Sequence, residues 1–308
     1  MDRGAGPGLR QASLSQASRQ RFVRCASPRG LHRVAYLEWG DPRNERVLVC
    51  VHGLTRCARD FDALARAMSD RYRVVCPDVA GRGDSEWLAD PMLYQLPQYV
   101  ADMVTLVARL DVESVHWAGT SMGGLIGMAI AGLPAASPGQ GGAAGSLITK
   151  LVINDAGPVV SKVSLERIAT YVGMAPAFPD IEAADKYVRA VSATFGPHSD
   201  AEWRFLTEVV VRKNADGSLR LHYDPKIAEP FRANMPKKDL ELWETWDAIR
   251  CPTLVLRGAQ SDLLTRDTCD RMVGRGPKAK VVEIPGVGHA PTLMHDDQIK
   301  IVRDFLLR

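Results

Sequence analysis

A chain of 308 residues, 46% hydrophobic and 24% charged, is long enough to bury a sizeable core as one large domain, alone or with an insertion. No apolar run reaches the roughly 18 residues of a membrane-spanning helix, so no membrane association is expected. The net charge of +3 is gathered at the start, where residues 1–33 hold seven arginines, one acid and no lysine; the remaining body is mildly acidic and lacks the basic stripe of a nucleic-acid-binding surface.

Residues 1–20, rich in Gly, Ser, Gln and Arg, have no apolar stretch of the secretory kind and are expected to be a disordered tail. HRVAYLEWG (32–40) alternates as a half-buried strand does, and RVLVCVHG (46–53) is a continuous apolar run typical of a strand covered on both faces. DFDALARAMSD (60–70) has helical spacing, YRVVCPD (72–78) is a second buried strand, and QYVADMVTLVARLDV (98–112) is an amphipathic helix. SVHWAGTS (114–121) leads as a strand into a small-residue helix, MGGLIGMAIAGL (122–133); a Gly/Ala/Ser/Pro loop follows over 133–146, and then a strand, KLVINDAGP. CPTLVLRGAQSD (251–262) and AKVVEIPGVGH (279–289) supply two more strands before a closing helix. This alternation predicts an α/β fold with a mostly parallel central sheet flanked by helices.

Residues 159–249 interrupt the rhythm with mainly helical patterns and hold Trp203, Trp243, Trp246, Phe178, Phe195 and Phe231. They are expected to form a helical cap, inserted between two core segments, 21–158 and 250–308. The six cysteines contain no CxxC pair, and reduced, buried thiols in a cytoplasmic protein are the expectation.

GTSMG (119–123) has the spacing G-x-S-x-G at a strand-to-helix junction. A turn that sharp leaves no room for a Cβ at Gly119 or Gly123, and it lifts the Ser121 hydroxyl above the sheet edge at a helix N-terminus. A serine needs a base. His289, in the Gly/Pro-framed loop PGVGHAP after a predicted strand, is the best placed of the seven histidines. The carboxylate that orients it is expected to be Asp262, in the loop after TLVLRG, with Asp155 after KLVIN as the alternative acid. Two backbone N–H groups should bind the oxyanion: that of Met122, next after the serine, and that of Leu54 in HGLT. Arg56 and Arg59, just after HGLT, are expected to be solvated, with binding of a substrate carboxylate as the alternative. No two histidines have helical metal-ligand spacing and the chemistry needs no metal, so neither a metal nor a cofactor is expected.

HGLT (52–55), DVAGRGDS (78–85), GTSMGG (119–124), GAQSD (258–262) and GVGH (286–289) together resemble the α/β-hydrolase superfamily, over roughly 32–308 apart from the cap. The DVAGRGDS stretch is architectural in this reading. Haloalkane dehalogenases and epoxide hydrolases carry an aspartate where Ser121 stands, dienelactone hydrolases carry a cysteine, and the lipase-type HGGG is absent. HGxT with GxSMGG looks most like small esterases, enol-lactonases, cofactor-free perhydrolases and the C–C bond hydrolases of aromatic breakdown.

The resemblance implies a serine hydrolase that cleaves small to medium carboxylic esters through an acyl-enzyme, with water as second substrate and no macromolecular partner. The same residues would serve a C–C bond hydrolase, an enol-lactonase, an acyltransferase or a perhydrolase. A ligand-binding protein on a hydrolase scaffold is the alternative of another class.

Overall fold

The computed structural model describes residues 17–134 and 146–308. Most of the expected tail (1–20) and of the expected loop (133–146) lies outside the described residues. Eight strands form one sheet: β1 (Arg19–Ser27), β2 (Gly30–Trp39), β3 (Val47–Val51), β4 (Arg73–Pro77), β5 (Val115–Thr120), β6 (Ile148–Asn154), β7 (Thr253–Gly258) and β8 (Lys280–Ile284), in the order β1-β2-β4-β3-β5-β6-β7-β8. The pairs from β4 to β8 are parallel, whereas β1–β2 and β2–β4 are antiparallel. Every residue of β3 and of β7 is buried, as a parallel strand with helices on both faces requires. The α/β class and the mostly parallel sheet are therefore those expected from the sequence.

β1 is not anticipated by the sequence pattern. Only Val23 and Cys25 of RQRFVRCAS turn inward, and its basic composition looks like tail. It is held by a nine-pair register with β2, from Arg19 opposite Glu38 to Ser27 opposite Gly30.

Helices cover both faces. On one side, α1 (Asp62–Met68) contributes Leu64, Ala65 and Met68, and α10 (Asp296–Leu307) contributes Ile299, Val302 and Leu306, at the 3–4 spacing of an apolar stripe. On the other, α2 (Leu96–Arg109) and α3 (Met122–Ala131) pack Met103, Leu106, Val107, Ile126 and Met128 against the sheet.

Residues 159–249 contain α4 (Lys162–Ala169), α5 (Ile181–Val191), α6 (Asp200–Glu208), α7 (Ala228–Ala233) and α8 (Trp243–Ala248), and α9 (Arg266–Gly274) follows β7. The insert's two ends are joined: Val159–Val160 pairs antiparallel with Leu240–Glu241. A small three-stranded sheet of Ala177–Phe178, Leu219–Leu221 and Val211–Lys213 stiffens its middle. α8 belongs with the body, because Trp243 and Trp246 are buried in the main core and α8 packs on α3. The loops that leave β3, β5, β6, β7 and β8 all emerge at the C-terminal edge of the parallel strands, where open α/β sheets place their sites.

Candidate active site

Ser121 follows β5 directly, and α3 begins one residue later. Its backbone is in the left-handed region, with φ 53° and ψ −115°, a strained conformation for a non-glycine residue that the surrounding turn must hold in place. The flanking glycines are obligatory. A Cβ on Gly119 would stand 2.1 Å from the Gly123 carbonyl oxygen, and one on Gly123 would stand 2.0 Å from that of Val51. The amides of Gly124 and Leu125 donate to the Ser121 carbonyl at 2.9 and 3.0 Å, which locks the turn to the helix.

The Ser121 hydroxyl donates to His289 Nε2 at 2.9 Å, and His289 Nδ1–H donates to Asp155 Oδ2 at 2.7 Å. Asp155 also has a strained backbone, with φ 54°, and is fully buried. Its charge is held by two further donors: Gly258 N–H to Oδ1 at 2.8 Å, and the Ser261 hydroxyl to Oδ2 at 2.6 Å. Charge-assisted hydrogen bonds of this kind are what a buried carboxylate needs. The His289 loop is braced from the insert, where the Thr194 carbonyl accepts from Gly288 N–H at 2.7 Å.

Asp262, the acid favoured from the sequence, is therefore not the partner of His289. Its carboxylate points away from the sheet edge and forms a two-point ion pair with Arg167 of α4, at 2.8 Å (Nε) and 3.0 Å (Nη2). Its side chain is 53% exposed. The neighbouring Ser261 turns inward instead and binds Asp155.

The HGLT loop borders the serine. A Cβ on Gly53 would lie 3.7 Å from Ser121 Cβ, and Leu54 lines the same cavities as Ser121. Met122 opens α3, so its N–H is one of the amides that the helix itself leaves without a partner. Two buried side chains fix the loop from below. His52 bridges two strand ends, with Nδ1–H donating to Gly53 O at 2.7 Å and Nε2 accepting from Val79 N–H at 2.9 Å. Arg82, fully buried, donates to Leu54 O at 2.9 Å, to Ala80 O at 2.7 Å and to the Tyr99 hydroxyl at 2.9 Å. It also lies over the rings of Tyr94 and Tyr99. The sequence reading missed Arg82, although its place between Gly81 and Gly83 of DVAGRGDS puts it in a turn that faces the HGLT loop.

Burial pulls the His52 imidazole down from 6.5 to about 4. The unfolded chain takes up its proton near the ordinary value, so between these limits the unfolded state binds more protons than the folded one. The His52 contribution to stability is complete above about pH 6.5 and falls as the pH drops, by up to about 3 kcal/mol at pH 4. Urea unfolding between pH 7 and pH 4 should show that slope, and His52→Gln should flatten it. His116, likewise lowered to about 4 by burial, will retain a slope of its own in that variant.

Ser121 lies where two cavities meet. The smaller, about 140 Å³, is bounded by the HGLT loop, the His289 loop and the insert, and includes Arg56, Asp60, Arg167 and Tyr171. The larger, about 370 Å³, runs beneath α4 and α7, past Met122, Leu125, Ala156, Phe231 and Leu263. Arg56 is not solvated: its side chain is 11% exposed, it grips Asp60 at 2.6 Å, and it donates to Leu206 O of α6 at 3.3 Å. Arg59 is half-exposed and pairs with Asp62. Of the insert aromatics, Phe195 and Phe231 line the cavities, whereas Phe178, Trp203, Trp243 and Trp246 are buried in packing.

A model of the Alpha/beta hydrolase family matches residues 48–301. The 3-hydroxybutyrate-oligomer hydrolase of Cupriavidus necator is 51% identical over 299 residues, which cover 95% of this chain and 99% of that protein. An alpha/beta hydrolase from Novosphingobium aromaticivorans superposes with a TM-score of 0.81 at 35% identity, over 94% of this chain and 98% of that one. A Rickettsia typhi protein does so with a TM-score of 0.84 at 30% identity, over 94% and 99%. The chain thus belongs to the alpha/beta hydrolase family. It is an enzyme that hydrolyses carboxylic ester bonds.

Proposed function

We propose that the protein cleaves oligomers of a short hydroxy acid, 3-hydroxybutyrate or a close analogue, by serine acyl transfer to water. The observation that carries the chemistry is the unbroken chain from the Ser121 hydroxyl through His289 to the buried Asp155. The substrate class is supported by the relative that shares half of its residues over nearly the whole of both chains.

In this mechanism Ser121 Oγ attacks the ester carbonyl while His289 Nε2 takes its proton. Asp155 holds the neutral ring with Nδ1–H directed at the carboxylate, and it then stabilises the imidazolium. The N–H groups of Leu54 and Met122 bind the developing oxyanion. The C–O bond to the alcohol breaks as His289 returns the proton to the departing oxygen. Water, deprotonated by the same ring, releases the acid and restores the serine. The insert acts as a cap that shapes both cavities, and no metal or cofactor enters any step. The six free, buried cysteines support a reduced, cytoplasmic setting.

The test is release of 3-hydroxybutyrate from its dimer and trimer, beside p-nitrophenyl butyrate, by wild type and Ser121→Ala. Loss of all three activities with folding unchanged is the expected result. Cleavage of the nitrophenyl ester alone would leave the mechanism standing and discard the substrate. Full activity in Ser121→Ala would discard the mechanism.

A further inference from the structure

We infer that the ester chain passes through the junction at Ser121 in one direction only, with its hydroxyl-terminal part in the larger cavity and its carboxylate-terminal part in the smaller, where Arg167 recognises the free carboxylate. This inference rests on the hydrolytic mechanism proposed above.

Two independent observations fix the direction. His289 borders the smaller cavity and not the larger. In the step that breaks the ester, the proton taken from Ser121 passes from Nε2 to the departing alkoxide, so the alcohol half must lie on the His289 side. The acyl half, bonded to Ser121 Oγ once the C–O bond has broken, then occupies the larger cavity.

The second observation is charge. The lining of the larger cavity contains no Asp, Glu, Lys, Arg or His among the described residues, and a carboxylate buried there would have nothing to offset its lost hydration. The smaller cavity is lined by two arginines, Arg56 paired with Asp60 and Arg167 paired with Asp262 at the exposed mouth, so guanidinium donors are present there and absent from the larger cavity's lining. In a linear hydroxy-acid oligomer, the acyl half of any cleaved bond ends in a hydroxyl and the alcohol half ends in the carboxylate. Proton transfer and charge therefore select the same orientation.

Of the two arginines, Arg56 is held by Asp60 through Nε and Nη2 and by the Leu206 carbonyl through Nη1, with its side chain only 11% exposed. Arg167 sits at the half-exposed mouth, with Nε and Nη2 on Asp262. A guanidinium has five N–H donors, so three remain for a second carboxylate. The pair with Asp262 is open to water and cheap to rearrange. Asp262 thus holds Arg167 in place between turnovers, and Arg167 is a specificity residue that takes no part in bond making.

The experiment compares 3-(butyryloxy)butyrate, charged on the alcohol half, with 3-(butyryloxy)butanamide, its neutral isostere. A parallel pair, monoethyl glutarate and ethyl butyrate, places the charge on the acyl half. Butyrate release by wild type should favour the acid over the amide by about tenfold in kcat/KM, the effect of one charge-assisted contact. Arg167→Met should bring that ratio near one while p-nitrophenyl butyrate turnover stays within about twofold. Arg167→Lys should restore part of the ratio, which a merely structural role would not require. Monoethyl glutarate should be cleaved far more slowly than ethyl butyrate.

An acid-to-amide ratio of one in wild type, or one unchanged in Arg167→Met, would overturn the role of Arg167. Monoethyl glutarate cleaved as well as ethyl butyrate would overturn the direction. Failure of the underlying mechanism shows separately, as nitrophenyl ester turnover that survives Ser121→Ala.

Discussion

Asp155→Asn should lower kcat by about 10,000-fold, the loss expected when the ring's orienting carboxylate becomes an amide. An amide nitrogen turned toward His289 would meet Nδ1–H donor to donor, favouring the tautomer that carries its proton on Nε2, where Ser121 needs an acceptor. Oδ1 would keep its bond from Gly258 N–H, so folding should survive and the effect should fall on kcat. Asp262→Asn, by contrast, should leave p-nitrophenyl butyrate turnover within about threefold of wild type, because that side chain touches Arg167 and not the imidazole. Steady-state kinetics on both variants decide the matter, and reversal of the two effects would return Asp262 to the role the sequence suggested for it.

The second large effect is expected at Arg82. Its fully buried guanidinium ties Leu54 O, Ala80 O and the Tyr99 hydroxyl together. Arg82→Met keeps most of the volume and leaves these acceptors without their partner. Each buried polar group so orphaned costs about 1–3 kcal/mol, which places the total near 4 kcal/mol. The Leu54–Thr55 peptide, adjoining the one that carries the proposed oxyanion donor, loses its anchor at the same time, and a displaced oxyanion donor costs about 100-fold in kcat/KM. Urea unfolding measures the first effect and kinetics at a temperature where the variant remains folded measures the second. Arg82→Lys keeps the charge without the fork; it should recover part of the stability while kcat/KM stays at least about tenfold down. An Arg82→Met enzyme of normal stability and activity would show that the loop is held by His52 alone.

The meeting of Ser121 and His289 was legible because its constraints are local. G-x-S-x-G needs its glycines for contacts within a few residues and with the adjoining strand, and the Gly/Pro frame of PGVGHAP marks a loop after a strand. The carboxylate that meets His289 was not legible for the opposite reason. Asp155 and Asp262 both follow parallel strands and reach the same sheet edge, so chain position cannot separate them. The choice lies in partners more than ninety residues away: Gly258 and Ser261 close around Asp155, while Arg167 of the insert draws Asp262 outward. β1 escaped notice because only Val23 and Cys25 mark it as a strand, and its pairing with β2 supplies the rest. Arg56 was misjudged because its burial depends on α6, a helix from the segment least marked by motifs.

The paired stem of the insert has a consequence for how such a chain can change. Val159–Val160 and Leu240–Glu241 lie side by side as neighbouring strands, so the 79 residues between them begin and end at almost one point. A segment with adjoining ends can lengthen, shorten or be exchanged for another without opening a gap in the body beneath it. Ser121, Asp155 and His289, proposed above to break the bond, all lie outside that stretch, and Arg167, proposed above to choose the substrate, lies within it. On those proposals, substrate choice and chemistry are carried on separable pieces of one chain, and replacing a single continuous cassette should be enough to change the preference.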